Sequence, residues 1–170
     1  SSTAAVTLTI DAVNDAPALA SVSDVSFDED TSGSLSLSAD DVDGDDLSYS
    51  IVGGSDIIAI LDGSDVSFSA PANYNGSEEF NISVTDGSET DSQNITVTVT
   101  AVNDSPVATA SLTGATNEDQ SVVVSLSGSD IDGDNLTFSL DDDAANGSVT
   151  LDGSLATYTP NANYNGDDSF

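Results

Sequence analysis

The sequence contains no lysine, arginine or histidine, and its 31 acidic residues give the 170-residue chain a formal net charge of −31. Nucleic acids and anionic membrane surfaces are bound mainly through Lys and Arg, so neither is expected as a partner. Because like charges repel in a compact chain, something must offset this repulsion in a folded state, and cations are the obvious candidates. A high net charge with only 5% aromatic residues is also typical of disordered chains. However, hydrophobic residues make up 37% of the sequence and follow a regular pattern, which favours a folded chain.

Cysteine is absent too, which excludes disulfides, and without lysine no Lys–Asn isopeptide cross-link can form. Metal ions are therefore the remaining strong cross-link. No run of about 20 apolar residues and no signal peptide is recognisable, so we expect no membrane insertion. The usual catalytic bases and nucleophiles, His, Cys and Lys, are missing, so we expect no enzyme. Paired carboxylates could still hydrolyse glycosides, but here the acidic residues recur with a repeat, as ligands of a structural ion would.

The repeat is marked by two joints. Ala12–Pro17 reads Ala-Val-Asn-Asp-Ala-Pro, and 89 residues later Ala101–Pro106 reads Ala-Val-Asn-Asp-Ser-Pro. An alternating apolar run precedes each joint, at 6–10 and at 95–99, and predicts a strand there. The other matches, at an offset of 89 or 90, pair Glu29-Asp30 with Glu118-Asp119, Asp41–Asp45 with Asp130–Asp134, Leu47–Ile51 with Leu136–Leu140, Asp62-Gly63 with Asp152-Gly153, and Asn73–Gly76 with Asn163–Gly166.

Between the joints, short apolar alternations are separated by Gly, Asp, Asn and Ser, and no window keeps helical spacing. Seven short strands with turn signals every 8–12 residues indicate an all-β fold of tandem seven-stranded immunoglobulin-like β-sandwich repeats. Alternating aromatic residues such as Tyr49, Phe68, Phe138 and Tyr158 are expected in the core. The predicted strands lie at 25–27, 35–39, 47–51, 57–61, 66–68, 80–84 and 95–99.

This pattern divides the chain into residues 1–13, the last strand of a preceding repeat with the start of a joint; 14–102, a complete repeat; and 103–170, a repeat lacking its last two strands. An unfinished sandwich exposes strand edges. Either the native chain continues in both directions, or a neighbouring chain supplies the missing strand, with 6–10 as the donated segment. The sequence leaves both open.

The chemistry is concentrated in the Asp41–Asp45 loop, where Asp41, Asp43 and Asp45 alternate and Gly44 supplies the turn. Hard carboxylate oxygens suit Ca²⁺, which takes six to eight oxygen ligands. Zinc and copper are not expected without Cys or His. The loop is not an EF-hand, because its sixth position holds aspartate rather than glycine. A solvated turn is the alternative for a single acidic loop, and the aligned second copy favours a metal site.

Together, the Asn-Asp joint, the Glu-Asp pair, the Asp-x-Asp-Gly-Asp loop and the Asn-Tyr-Asn-Gly turn resemble the cadherin-like tandem repeats of large bacterial extracellular surface proteins, adhesins and matrix filaments. The resemblance implies a cadherin-like β-sandwich with calcium at the inter-domain joints. The joint reads Asn-Asp-Ala, which removes one ligand position of animal cadherins. The implied ligands are Asn14, Asp15, Asp41, Asp43 and Asp86 at the first joint; Asn103, Asp104, Asp130 and Asp132, with Glu29 from the repeat above, at the second; and Glu118 at a third.

These observations favour a structural repeat region of a secreted filament or adhesin stalk, located extracellularly at the cell surface and stiffened by Ca²⁺ at its joints. The expected partners are neighbouring copies of the same repeat, assembled into a homopolymeric filament. Two alternatives remain. One is a cell-adhesion module that binds a glycan or a protein, and the other is a self-polymerising fibre subunit completed by donated strands.

Overall fold

The computed structural model describes residues 4–170 and divides the chain into two compact units, which meet in sequence between Val102 and Asn103. The described residues of the first unit form nine strands, most of them in two main sheets. One sheet has the order β2-β9-β8-β5, the other β3-β7-β6, and β1 pairs with β4. The strands are β1 (Ala18–Leu19), β2 (Val25–Asp28), β3 (Ser32–Ser36), β4 (Ala39–Asp40), β5 (Ser48–Gly53), β6 (Ile58–Asp62), β7 (Asp65–Ser69), β8 (Gly76–Thr85) and β9 (Thr90–Thr100).

The two sheets enclose one hydrophobic core. Alternation along β9 turns Ile95, Val97 and Val99 inward, each at most 2% exposed, while the intervening threonines face outward. Across the sandwich, the ring of Phe68 on β7 meets that of Phe80 on β8 edge-to-face, with centroids 5.4 Å apart. Edge-to-face contact adds to the burial of both rings, so this pair joins the two sheets at the centre of the core.

The seven strand regions predicted between the joints are confirmed, and so is the all-β sandwich fold. Two details differ. The run at 35–39 is divided, because β3 pairs with β7 whereas β4 turns aside to pair with β1. The contact between β2 and β9 is parallel and was not predicted. The chain crosses from one sheet to the other between β2 and β3. Period-two alternation does not reveal such a crossing, so it could not predict the parallel contact.

The strand predicted over 6–10 is wrong for this structure. No regular secondary structure is assigned from residue 4 to Pro17, and Val6, Leu8 and Ile10 are 82–91% exposed. The alternation of this segment is suited to a sheet, but a strand needs a neighbour to satisfy its backbone. No described residue pairs with it.

The second unit repeats part of the first. Its three-stranded sheet has the order β11-β14-β13, and β10 pairs with β12, all antiparallel. The pairing register is the same as in the first unit: Val124 faces Ala156 on β14 as Leu35 faces Val66 on β7. Among the described residues no helix is long and apolar enough to cross a bilayer. The strands are β10 (Val107–Ala108), β11 (Val122–Ser125), β12 (Gly128–Ser129), β13 (Gly147–Asp152) and β14 (Leu155–Pro160).

Two segments expected as strands by the repeat are not strands in the second unit. Residues 114–117 are equivalent to β2, and residues 136–140 to the predicted strand at 47–51. In the first unit β2 pairs only with β9 and β5 only with β8. The sequence contains only the first five residues of a β8 equivalent and none of β9, so these segments have no ladder to join.

Candidate metal site

The loop that follows β4 curls around one carboxylate. Asp41 Oδ1 accepts the backbone N–H groups of Asp43 at 2.9 Å, Gly44 at 2.9 Å and Asp45 at 3.2 Å. Gly44 has a φ of 80°, a left-handed conformation that glycine adopts without strain. These hydrogen bonds draw Asp43 and Asp45 back toward Asp41. The alternation of aspartate therefore places three carboxylates on one side of a tight turn.

One carboxylate oxygen from each of Asp41, Asp43 and Asp45 lies within 4.8 Å of the other two. Oxygens on opposite sides of a single Ca²⁺ are about 4.6–5.2 Å apart, since each Ca–O distance is about 2.3–2.6 Å. Asp41 Oδ2 is buried and has no hydrogen-bond partner in the part of the chain that the structure describes. Buried charged oxygens are normally paired. With no basic side chain in the sequence, this cluster could hold a cation.

The joint residues approach the same loop. The Asp15 N–H donates to Asp43 Oδ2 at 2.8 Å, and Asn14 Nδ2 donates to Asp86 Oδ2 at 2.9 Å. Asp86 also accepts the N–H of Glu89 at 2.7 Å. This backbone hydrogen bond, followed by that from Asn14, lowers the pKa of Asp86 below its ordinary value. The five residues predicted for the first joint are thus connected through hydrogen bonds. Their binding of an ion stays a prediction.

Asp45 completes the three-carboxylate cluster but was not among the predicted ligands. Its signal was present in the sequence, since it continues the alternation of Asp41 and Asp43. Its equivalent is Asp134, whose N–H donates to Asp130 Oδ1 at 3.2 Å. Asp45 and Asp134 therefore join the candidate ligands.

The second joint has the same local geometry. The Asp104 N–H donates to Asp132 Oδ2 at 2.6 Å, and the Asp132 N–H donates to Asp130 Oδ1 at 3.0 Å. Asn103 donates to the Asp104 carbonyl at 2.7 Å, as Asn14 does to that of Asp15 at 3.2 Å. One cleft is lined by Asn103, Asp104, Asp130 and Asp134. All four residues predicted from the second unit are thus close to one another.

The two predicted glutamates differ. Glu29 is only 4% exposed, and its Oε1 accepts the Val102 N–H at 2.6 Å. This hydrogen bond attaches Glu29 to the first residues of the second joint. Glu118, its equivalent, is exposed, and no hydrogen bond recorded among the described residues joins it to a predicted ligand. A metal role for either glutamate stays a prediction.

A second acidic position, Glu78, holds a loop through hydrogen bonds that the sequence did not indicate. Glu78 accepts four hydrogen bonds, from the Ser55 hydroxyl at 2.6 Å and from the N–H groups of Ser55, Asp56 and Ile57 at 2.8, 3.1 and 3.0 Å. The Ser55 hydroxyl is the largest cause that lowers the pKa of Glu78 to about 2. Glu78 thus fixes the loop between β5 and β6, and both of its carboxylate oxygens are used in these hydrogen bonds.

The equivalent of Glu78 is Asp168. It accepts the N–H groups of Ala145 at 3.1 Å and Asn146 at 2.8 Å and the Tyr158 hydroxyl at 2.9 Å. Burial raises the pKa of Asp168, but these hydrogen bonds outweigh it and the pKa is lowered. Both repeats therefore use one carboxylate to hold the same loop, so not all of the acidic residues are available for metal binding.

Comparison with known proteins agrees with this architecture. The family model of the bacterial Ig domain matches residues 14–98 and again residues 103–170. Among solved structures, the EC1-2 fragment of human protocadherin-24 is similar with a TM-score of 0.52 at 16% identity, covering 88% of this chain and 79% of that one. Titin domains Z1Z2 in complex with telethonin give a TM-score of 0.37 at 14% identity, covering 90% and 85%.

The surface layer protein SbsC, domains 1–6, gives a TM-score of 0.39 at 15% identity, covering 93% of this chain and 23% of that one. No curated protein matches the sequence. The protocadherin similarity shows a fold of cadherin type. Because the family model covers most of the sequence in two copies, the chain belongs to the bacterial Ig domain family and carries two such domains in tandem.

Proposed function

We propose that the chain is a structural repeat region of an extracellular filament or adhesin stalk, stiffened by Ca²⁺ at its joints. The observation that carries this proposal is the Asp41 loop, where three carboxylates converge and the buried Asp41 Oδ2 has no hydrogen-bond partner within residues 4–170. The oxygen-only donor set and the spacing of the three carboxylates fit Ca²⁺. A chain with a net charge of −31 and no cation of its own has a general need for such an ion.

The local contacts explain how an ion would stiffen a joint. Asp15 is tied to Asp43 and Asn14 to Asp86, so the joint segment is already attached to two loops of the folded unit. Pro17 is buried at the end of this segment and has a restricted φ. Bound Ca²⁺ would supply the positive charge that offsets repulsion among the carboxylates. Bending the joint would then require the loss of ligand contacts as well as hydrogen bonds.

The family supports the location. Bacterial Ig domains are typical of extracellular surface proteins, and this chain carries two of them in tandem. Calcium sites of extracellular modules bind with dissociation constants of about 10⁻⁴–10⁻³ M. We expect the joints to bind in this range, so that the ion is present outside the cell and absent at the low calcium concentrations inside it.

Calorimetric titration of the full chain with CaCl₂ tests the proposal. Asp41→Asn keeps the oxygen that accepts the three backbone N–H groups but removes the charge, and we expect it to weaken the first site at least tenfold. Asp130→Asn should do the same at the second joint. Asp142→Asn, in an exposed loop, is the matched control and should leave both sites unchanged. A chain that shows no calcium binding at millimolar concentrations, or that binds equally well after Asp41→Asn, would contradict the proposal.

A further inference from the structure

Strand β6 of the first unit has an open edge and an apolar outer face. It is the last strand of the sheet β3-β7-β6, and no strand among the described residues pairs with its other edge. Ile58 and Ile60 point outward and are 58% and 61% exposed, whereas Ala59 and Leu61 alternate with them and pack against the core. The strand lies near the middle of residues 14–98, so this open edge is a feature of a folded domain rather than of a terminal segment.

The pairing of β6 with β7 decides which backbone groups face the open edge. Asp62 and Asp65 face each other across a two-residue turn. In a hairpin of this kind the closing pair is hydrogen-bonded, and hydrogen-bonded pairs recur at every second residue. Ala59 and Leu61 therefore direct their N–H and C=O groups away from β7, and within residues 4–170 no hydrogen bond outside the ladder is recorded for them. These groups are available to an added strand.

The start of the open edge is held in place by Glu78. Its Oε2 accepts the N–H groups of Ser55 and Ile57, at 2.8 and 3.0 Å, so the loop that leads into β6 is fixed before any partner binds. A preorganised edge loses less conformational entropy on binding than a mobile one. The same contact occupies the Ile57 N–H, and an added strand would consequently pair from Ala59 onward.

The second unit does not repeat this apolar face. The residues that face β14 as Ile58 and Ile60 face β7 are Ser148 and Thr150, and both are exposed. Natural edge strands generally carry charged residues, prolines or bulges that discourage pairing with another chain. Residues 57–61 include no charged residue and no proline. A pair of exposed isoleucines on an unprotected edge, replaced by polar residues on the equivalent edge, favours a binding surface specific to the first unit.

The charges beside the two isoleucines indicate which kind of strand fits. Asp56 precedes this apolar row and Asp62 ends it, and both are exposed. An antiparallel second copy of β6 that brought the isoleucines together would place Asp62 opposite Asp56 or opposite Ile58. Like charges opposite each other are destabilising, and each copy also carries a net charge of −31. A strand with two apolar residues at alternate positions and a Lys or Arg at each end is complementary instead. Since this sequence contains neither Lys nor Arg, such a strand belongs to another protein.

We propose that the open edge of β6 binds an extended cationic segment of another protein by strand addition. Main-chain hydrogen bonds to Ala59 and Leu61 would give affinity, and two apolar side chains at alternate positions would cover Ile58 and Ile60. A basic residue at each end of the segment would meet the two flanking aspartates. This surface shares no residue with the candidate metal site, so a stalk stiffened by calcium could hold such a partner along its side.

NMR titration of the isotope-labelled full chain with a synthetic peptide tests the proposal. The probe is Lys-Thr-Val-Thr-Val-Thr-Lys with blocked ends, which has the complementary pattern. We expect the largest shift changes at the amides of Ala59 and Leu61. The equivalent amides of Val149 and Leu151 on β13 should shift much less, and they serve as an internal control. The same peptide with glutamate in place of lysine should not bind. The absence of shifts on β6 at millimolar lysine peptide would overturn the proposal.

Two variants separate this binding from a general attraction between a basic peptide and an acidic chain. Ile58→Ser combined with Ile60→Thr introduces the residues of the second unit, and we expect it to weaken binding about tenfold because the apolar contact is lost. Val123→Thr makes a similar change at an exposed valine on β11 and should leave binding unchanged. Equal affinities of the two variants, or shifts confined to the Asp41–Asp45 loop, would contradict the proposal.

Sedimentation velocity of the chain without peptide tests the alternative occupant, a second copy. We expect the sedimentation of the unchanged chain and of the variant with Ile58→Ser and Ile60→Thr to be the same at every concentration. Self-association that this variant abolishes would show that the open edge of β6 binds a second copy, and it would overturn the assignment to a cationic partner.

Discussion

Residues 25–28 form a strand in the first unit, whereas the equivalent residues 114–117 in the second unit do not. The same difference separates 48–53 from 137–142. Both segments pair in the first unit with β8 or β9, and most of the residues equivalent to β8 and β9 lie outside this sequence. By contrast, β11, β13 and β14 pair with one another and keep the register of the first unit. Strand formation in these repeats therefore follows the availability of a partner more than local propensity.

One pair of equivalent positions holds different residues in the two units. In the first unit Phe27 lies beside Gly33, and a Cβ added to Gly33 would come within 2.6 Å of the Phe27 ring. The equivalent residues of the second unit are Thr116, which is exposed, and Val122. Since a smaller residue stands there with a larger one, we expect the two positions of the first unit to compensate for one another in volume.

The largest expected effect concerns a buried aromatic residue of the first unit and its equivalent in the second. Phe68→Ala removes a fully buried ring that contacts Phe80, and we expect the first unit to lose about 3–5 kcal/mol of unfolding free energy. Tyr158, the equivalent of Phe68, is half-buried, so Tyr158→Ala should cost the second unit less. Denaturant unfolding followed by NMR signals of each unit measures both. An equal loss in the two units would contradict the contrast between them.

The next effect concerns the compensated pair. Gly33→Val forces a side chain against Phe27 and should destabilise the first unit by about 1–3 kcal/mol. Combining it with Phe27→Thr introduces the pair of the second unit, and the double variant should lose less than the sum of the two single changes. A double-mutant cycle by denaturant unfolding measures the coupling. Simple additivity would show that the two positions do not compensate for one another.

Glu78→Gln should cost no more than about 1 kcal/mol at neutral pH, because hydrogen bonds to a charged acceptor are replaced by weaker ones and solvent screens the partly exposed carboxylate. The folded pKa of about 2 lies below the ordinary value of 4.5, so this carboxylate stabilises the fold above pH 4.5 and loses its contribution as the pH falls toward 2. The difference in stability between the unchanged chain and the variant should therefore shrink over that window. Thermal unfolding at a series of pH values measures it, and a difference independent of pH would contradict the assignment.

The smallest effect is expected on the outer face. The Ser50 and Ser83 hydroxyls share an exposed hydrogen bond of 2.7 Å, so Ser50→Ala should change the stability of the first unit by no more than about 0.5 kcal/mol. Ser139, the equivalent of Ser50, lies outside any strand, and Ser139→Ala should have no measurable effect. Chemical denaturation compares the two. A loss above 1 kcal/mol for Ser50→Ala would assign the outer face a larger role than this account does.

Alternation in the sequence was enough to predict the strands between the joints, because inward apolar residues on β8 and β9 follow period two without interruption. The resemblance to cadherin-like repeats, rather than the repeat itself, grouped Asn14, Asp15, Asp43 and Asp86 at one joint, and the structure connects Asn14 with Asp86 and Asp15 with Asp43 by hydrogen bonds. The sequence did not reveal that Glu78 fixes residues 55–57. That contact joins residues 21–23 positions apart, which strand pairing brings together. The neighbouring Glu79 is the same type of residue but is exposed, and the sequence alone does not distinguish the two.

The prediction of a strand at 6–10 was wrong because that segment has no neighbouring strand among the described residues. Its local pattern is as regular as that of β9, but a pattern specifies only the face that a segment would bury and not the presence of a neighbour. Residues 136–140 failed in the same way. The sequence thus predicts what each segment can become, while the partners available to it decide the outcome.

Small-angle X-ray scattering of the full chain in Ca²⁺ and in chelator tests the central claim most directly. The account predicts that calcium narrows the distribution of interatomic distances, because the second joint becomes stiff, and that Asp130→Asn removes this change while Asp142→Asn does not. Scattering profiles that are the same with and without calcium would contradict it.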